Sequence, residues 1–128
     1  MKRKGFRFSI EGMKMGYYQL VSTSRKRELV SPFCFPGERL AAFYLEEAAL
    51  RMVTISLKCP TVYGCYLQPD GTWLIGPASA RPVGKCRQTL SLRKVSGKLP
   101  ASVEVWKSVT RLRVIVALDA FAHACLQV

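Results

Sequence analysis

Apolar and polar residues alternate along the first third of the chain, as they do in half-buried β-strands. Strands are predicted over residues 5–11, 17–21 and 28–33, with a polar and charged connection at 22–27. The inward residues of the first predicted strand are Phe6, Phe8 and Ile10. Together the three segments predict an antiparallel N-terminal sheet with a basic loop at one tip.

A helical period follows two prolines, Pro32 and Pro36, which should end the third strand because proline lacks the N–H that a ladder needs. Proline and the acidic Glu38 suit the first turn of a helix, where backbone donors are unpaired. The apolar side of this predicted helix contains Leu40, Ala41, Tyr44, Leu45, Ala48 and Met52. Near Val53 a two-residue alternation returns, so the helix is predicted to give way to a strand there.

The middle of the chain carries a hairpin signal, Pro-Asp-Gly at 69–71. Proline presets the first turn dihedral, aspartate bonds back to the backbone, and glycine accepts a positive φ. Residues 61–68 and 72–76 are therefore predicted to pair. Residues 85–95 alternate again and predict another strand. One face of that strand is predicted to carry Lys85, Arg87, Thr89, Ser91 and Arg93.

The C-terminal segment, residues 102–126, fits two patterns. A helix capped by Ser102 matches a 3.6-residue period, whereas the alternating valines also allow two strands. The helix is favoured because its period covers more residues and because 117–126 is rich in helix-forming residues. Its predicted apolar stripe consists of Val105, Trp106, Val109, Leu112 and Val116, and its polar stripe of Glu104, Lys107, Ser108 and Arg111.

These elements predict an α+β fold class, an antiparallel sheet packed against one central helix and a C-terminal helix. The 128 residues, 49% of them hydrophobic, suit a single domain spanning 1–128, with a short basic flexible arm at 1–4. The longest apolar stretch is shorter than the roughly 20 residues that cross a bilayer. No apolar run follows the basic N-terminus as in a signal peptide. A cytoplasmic protein with no membrane partner is expected.

Residues with metal-binding or catalytic chemistry are sparse. The chain has one histidine and five cysteines, and none of them forms the close pairs typical of zinc sites, so no metal and no cofactor are expected. Asp119 and His123 share a helical face, but no nucleophile motif accompanies them. Glu46 and Glu47 are adjacent and point to different helical faces. The sequence therefore predicts no enzymatic activity.

Positive charge is concentrated in two blocks. The chain carries 20 Lys/Arg against 8 Asp/Glu, a net charge of +12. Residues 1–27 have a net charge of +7 and residues 81–113 of +8, whereas residues 28–80 have −2. A chain charged in this way should seek an acidic partner.

Nucleic acid is the partner that this distribution favours most, because Lys and Arg supply most phosphate contacts. The leading prediction is a small, basic, non-enzymatic nucleic-acid-binding protein of the regulatory or accessory type. The residues predicted to contact DNA or RNA are Lys2, Arg3, Lys4, Arg25, Lys26, Arg27, Lys85, Arg87, Arg93, Lys94, Arg111 and Arg113.

Two other functions stay open at this level. One is a protein-interaction module of the inhibitor or immunity type that docks on an acidic partner protein. The other is a small-ligand-binding domain whose pocket would be lined by Trp73, Tyr63, Tyr66 and Phe43. The apolar C-terminal segment also leaves a homodimer open, and the sequence does not distinguish DNA from RNA.

Overall fold

A computed structural model describes residues 16–25, 27–56, 63–77, 88–106 and 111–127. In chain order the elements are β1 (Tyr17–Ser24), β2 (Glu28–Pro36), α1 (Glu38–Ser56), β3 (Tyr63–Leu67), β4 (Trp73–Pro77), β5 (Gln88–Lys94), β6 (Glu104–Val105) and α2 (Arg111–Leu126). The predicted α+β class, with a central and a C-terminal helix, is confirmed.

The strands form one sheet in the order β3-β4-β5-β1-β2-β6. Neighbouring strands are antiparallel except for β2 and β6, which are parallel. The predicted hairpin between β3 and β4 is confirmed: Gly71 adopts φ 91°, and the Asp70 carboxylate accepts a hydrogen bond from Thr72 N at 3.0 Å. This local chemistry specifies the turn without requiring tertiary contacts.

A β-bulge allows β2 to continue beyond Pro32, the first of its two prolines. The pairing of β1 with β2 shifts register in this part of the strand. The buried Ser31 hydroxyl accepts a hydrogen bond from Leu20 N at 3.0 Å and donates one to the Phe33 carbonyl at 2.6 Å. Pro32 is exposed within this bulge, where the ladder does not require its missing N–H. The strand therefore runs to Pro36 instead of ending at Phe33.

Both helices pack on the same face of the sheet. Phe33 and Phe35 lie two residues apart on β2 and so face the same side. The Phe33 ring meets Phe121 of α2 edge-on, with centroids 6.0 Å apart, and the Phe35 ring stacks on Tyr44 of α1 at 4.7 Å. The buried core includes Tyr18, Leu20, Ile75 and Leu90 from the sheet, Ala41, Leu45, Ala48 and Met52 from α1, and Val114, Leu118 and Cys125 from α2.

The predicted change from helix to strand near Val53 is wrong, because α1 continues to Ser56. Met52 and Ser56 are both buried, as residues four apart on one helical face should be. A short alternation is compatible with the flank of a helix as well as with a strand, and here packing of the helix against the sheet decides. The remainder of that predicted strand lies outside the described residues, as does the predicted strand at 5–11.

The C-terminal helix begins later than predicted. Glu104 and Val105 form the short strand β6 beside β2, so Ser102 precedes a strand and does not cap a helix. The helix α2 starts at Arg111, and its predicted apolar stripe is wrong at Leu112 and Val116, which are exposed, whereas Trp106 is buried and Val109 lies outside the described residues. The buried stripe of α2 instead contains Val114, Leu118, Phe121, Ala122 and Cys125. The predicted phase rests largely on residues before Arg111, which are not part of α2, and the phase observed is the one that packs Val114, Leu118 and Phe121 into the core.

Candidate nucleic-acid interface

One end of the sheet adjoins a part of each basic block. The turn between β1 and β2, which belongs to the first block, follows Ser24, and β5, which belongs to the second block, begins at Gln88. Ser24 and Gln88 are direct partners in the antiparallel pairing of β1 with β5. We call the end of the sheet formed by Ser24, Gln88 and the turn residues Arg25 and Arg27 the hairpin end. The sheet therefore places the turn after β1 beside the first residue of β5, although the two are more than 60 residues apart in sequence.

Arg25 is the candidate phosphate contact at the hairpin end. It is exposed in the turn that follows β1. The turn is closed by a hydrogen bond from Ser24 N to the Arg27 carbonyl at 2.9 Å. A basic side chain on an ordered turn loses less conformational entropy on binding than one on a free chain end.

Arg27 has a structural role at the same end. Its guanidinium donates hydrogen bonds to the carbonyls of Ala124 and Gln127, both at 2.5 Å. The last carbonyls of a helix lack intrahelical partners and carry partial negative charge. Arg27 therefore satisfies and neutralises the C-terminus of α2, and the charge that it offers to a phosphate is correspondingly reduced.

Arg93 and Lys94 lie at the opposite end of β5 from Gln88. Seven residues of extended strand separate the two ends by roughly 20 Å. Arg93 forms an ion pair with Glu28, and both side chains are about half exposed. The Lys94 side chain lies over Gly16, where a Cβ atom would come within 2.5 Å of its Cε. These two predicted residues are thus separate from the hairpin end.

Arg113 belongs to a third location, the start of α2. Its guanidinium forms an ion pair with Glu104 at 2.9 Å and lies 5.3 Å from the centroid of the Trp106 ring. Arg111 is the first residue of this helix. The other six predicted contact residues, Lys2, Arg3, Lys4, Lys26, Lys85 and Arg87, lie outside the described residues.

Charge is distributed unevenly between the described residues and the rest of the chain. The described residues contain nine Lys/Arg and seven Asp/Glu, which leaves a net charge of +2. The remaining +10 lies in the other segments of the sequence. The described sheet and helices are thus close to neutral.

The outward face of β5 is confirmed where the structure describes it. Leu90 is buried on the helix side of the sheet. Thr89, Ser91 and Arg93 alternate with the inward residues and project from the other side. Thr89 and Ser91 are half-buried beside β1. Their hydroxyls therefore do not form an open row along β5 that a nucleic-acid backbone could follow.

Thiols in the described part of the chain are poor nucleophiles. Cys34, Cys65 and Cys125 are free, and burial raises the pKa of each. The pKa of Cys125 reaches about 11, because burial outweighs the opposing effects of a hydrogen bond with Ser22 and of the Arg27 charge. A protonated thiol is neither a nucleophile nor a good metal ligand. No group of three or more potential metal ligands occurs among the described residues.

The structure adds little support to the shared face of Asp119 and His123 as a catalytic pair, or to the alternative of an aromatic ligand pocket. His123 Nε2 and Asp119 Oδ2 are 4.0 Å apart, and both side chains are about half exposed. In the β3–β4 pairing, Trp73 lies opposite Leu67 while Tyr66 lies opposite Leu74. Trp73 and Tyr66 therefore project from opposite faces of the sheet and cannot line one pocket.

Comparisons with known proteins give no relative: no family model, curated protein or solved structure matches the chain. Among the helices that the structure describes, neither is both long and apolar enough to cross a bilayer.

Proposed function

We propose that this protein is a small, non-enzymatic nucleic-acid-binding protein that contacts phosphates at the hairpin end. The observation that supports this proposal is the pairing of Ser24 with Gln88. Through this pairing, the turn that contains Arg25 lies beside Gln88, the residue at which β5 begins. Neighbouring cations favour a polyanion over an isolated acid, because each released counterion adds to the affinity.

The location of the charge also favours contacts with phosphates over sequence-specific hydrogen bonds to base edges. Most of the net charge lies in sequence segments outside the described residues, which are themselves nearly neutral. Such an arrangement supplies a sequence-independent attraction to the backbone of DNA or RNA. Arg25 is the described residue on which this proposal depends; Lys26 follows it in the sequence, and Lys85 and Arg87 precede Gln88.

A salt series with labelled nucleic acid tests the proposal. Anisotropy of fluorescein-labelled duplex DNA, single-stranded DNA and single-stranded RNA should show binding at 50 mM salt. With about six phosphate contacts, affinity should fall about a thousandfold by 200 mM salt. Arg25→Ala should weaken binding at every sequence and lower the log–log salt slope by about one unit.

Arg39→Ala is the matched control, because Arg39 is an exposed arginine near the start of α1 and lies on the helix layer. This variant should bind as the parent protein does. Equal losses for Arg25→Ala and Arg39→Ala would show that only net charge matters and that the hairpin end is not the contact site. No binding at 50 mM salt would overturn the proposed function altogether.

A further inference from the structure

Exposed apolar side chains form a ridge along the outer side of α2. Leu112, Val116 and Ala120 follow one another at intervals of four residues, and each is exposed. Leu112 is 72% exposed and Val116 is 62% exposed, although the opposite side of the helix is buried in the core. Side chains four residues apart on a helix lie in one continuous row. We call these three residues the α2 ridge.

A groove lies beside the α2 ridge. Its first hollow, of about 410 Å³, is lined by the α2 ridge together with Arg113, Ala117 and Trp106. Arg113 and Ala117 are also four residues apart, so they belong to the next row of side chains around the helix. A second hollow of about 420 Å³ shares Trp106, Ala117 and Ala120 with the first and extends to β2. We call the two hollows the α2 groove. Because Leu112 is so exposed, no described strand or helix packs over this side of α2.

The shape of the α2 groove indicates the kind of surface that fits it. Helices in globular proteins most often pack by placing a row of side chains four residues apart into the groove beside the corresponding row of the other helix. The α2 groove is therefore suited to a helix with an apolar row of this spacing. The α2 ridge is such a row, and it lies directly beside the groove. A second copy of α2 can thus fill the groove and place its own groove around the first ridge, as a two-fold axis requires.

The other described helix carries no comparable row. On α1, Phe43 is exposed, but Glu47 follows it four residues later. Leu50 is exposed as well, and the residues four before and four after it are Glu46 and Thr54. A carboxylate loses its hydration when it is buried against apolar side chains. Among the described helices, α2 is therefore the one that matches the α2 groove.

The charged groups at the α2 groove are paired with each other. Arg113 forms an ion pair with Glu104 at 2.9 Å, and Glu104 itself lines the second hollow. The Arg113 guanidinium also lies 5.3 Å from the centroid of the Trp106 ring. A balanced pair beside an otherwise largely apolar lining gives no preference for a charged occupant. The apolar α2 ridge suits such a lining better than a charged segment does.

Antiparallel packing gives the better match between two copies of α2. With a two-fold axis at Val116, Leu112 of one copy lies opposite Ala120 of the other, so a large side chain meets a small one. Parallel packing would place Leu112 against Leu112 and Ala120 against Ala120, which leaves one contact crowded and the other loose. Opposed helices also bring the partial positive charge of one N-terminus towards the partial negative charge of the other C-terminus.

From these observations we infer that this chain forms a two-fold symmetric dimer in which the α2 ridge of each copy packs into the α2 groove of the other. The two α2 helices are antiparallel, Val116 lies at the axis, and Leu112 faces Ala120 of the second copy. This dimer does not require nucleic acid. Arg27 of the hairpin end contacts α2 at Ala124, about 12 Å along the helix from Val116, so phosphate binding and dimerisation use separate surfaces.

Sedimentation equilibrium of the full chain, treated with nuclease and measured over a hundredfold range of concentration, tests this dimer. The average mass should rise from that of one chain towards that of two. Val116→Glu should raise the dissociation constant at least tenfold, because it places two carboxylates face to face at the axis. Leu50→Glu is the matched control, since Leu50 is an apolar residue of α1 that is 45% exposed. This control should change the dissociation constant less than twofold.

A mixture of two variants tests the two-fold axis itself. Val116→Glu and Val116→Lys should each dimerise poorly alone. An equimolar mixture should associate at least tenfold more tightly than either variant, because only the mixed dimer pairs opposite charges across the axis. Both variants change an exposed residue, and an unchanged circular dichroism spectrum would establish that they are folded.

Three results would overturn the inference. The first is a mass that stays that of one chain at every concentration, which would assign the α2 groove to another molecule. The second is equal weakening by Leu50→Glu and Val116→Glu, which would place the contact elsewhere. The third is a mixture of the two Val116 variants that associates no more tightly than either alone, which would exclude a two-fold axis at Val116.

Discussion

The bulge in β2 is expected to depend on the single hydroxyl of Ser31. Replacing Ser31 with alanine removes the acceptor of Leu20 N, at 3.0 Å, and the donor to the Phe33 carbonyl, at 2.6 Å. Leu20, Ser31 and Phe33 are all buried, so water cannot replace either bond without entering the core. The substitution itself is nearly isosteric and leaves no large cavity.

The expected cost follows from the two groups left unpaired. A buried donor or acceptor without a partner costs about 1–3 kcal/mol, and a carbonyl with a second lone pair lies at the lower end of that range. Ser31→Ala should therefore lower the free energy of unfolding by about 2–4 kcal/mol. This loss is a large fraction of the roughly 5–15 kcal/mol that stabilises a domain, and it corresponds to a fall in Tm of about 8–16 °C.

Urea unfolding followed by tryptophan fluorescence measures this loss, with Ser91→Ala as the control. Ser91 is a half-buried serine on the neighbouring strand β5, and no hydrogen bond of its hydroxyl supports a bulge. Its replacement should change stability by less than about 0.5 kcal/mol. A loss below about 1 kcal/mol for Ser31→Ala, with an unchanged m-value, would refute the argument that the hydroxyl closes the bulge.

Three further outcomes are expected. Arg27→Ala should destabilise the protein by about 1–2 kcal/mol, because it leaves the last carbonyls of α2 without a cation, whereas Arg25→Ala should leave stability unchanged in the same urea titration. Because the folded-state pKa of Cys125, about 11, lies above its ordinary 9.0, stability should be full below pH 9 and fall towards pH 11, by up to about 1.4 kcal/mol per pH unit. Cys125→Ala should flatten that slope. Hydrogen bonds from Thr72 lower the pKa of Asp70 below 3.8, so its carboxyl NMR signal should titrate below that pH and Thr72→Ala should raise the midpoint.

The elements that the sequence predicts well are those set by local chemistry. The Pro-Asp-Gly turn at 69–71 specifies its hairpin through three adjacent residues, and the alternation of β5 assigns Leu90 to the core without reference to other strands. The helix α1 is predicted because its apolar period extends over several turns. Where a pattern is short, as around Val53, it fits a strand and a helix equally, and contacts with distant residues decide.

The arginines predicted to contact nucleic acid look equivalent in the sequence, but the structure places them in different environments. Arg25 remains exposed on a turn, whereas Arg27, two residues later, binds carbonyls 97 and 100 residues further along the chain. Arg93 and Arg113 each form an ion pair. Composition cannot distinguish these cases, because an arginine at the surface and an arginine at a helix terminus have the same local sequence signature.

The sequence by itself determined the α+β class, the location of the basic blocks along the chain, and the hairpin turns, since each depends on residues that are near neighbours. Only the tertiary structure decided that Ser24 pairs with Gln88, so that the turn after β1 lies beside the start of β5. It also decided that Leu112 and Val116 face outward. Strand register and helix phase depend on contacts between residues far apart in the sequence, so a local pattern of residues does not predict them.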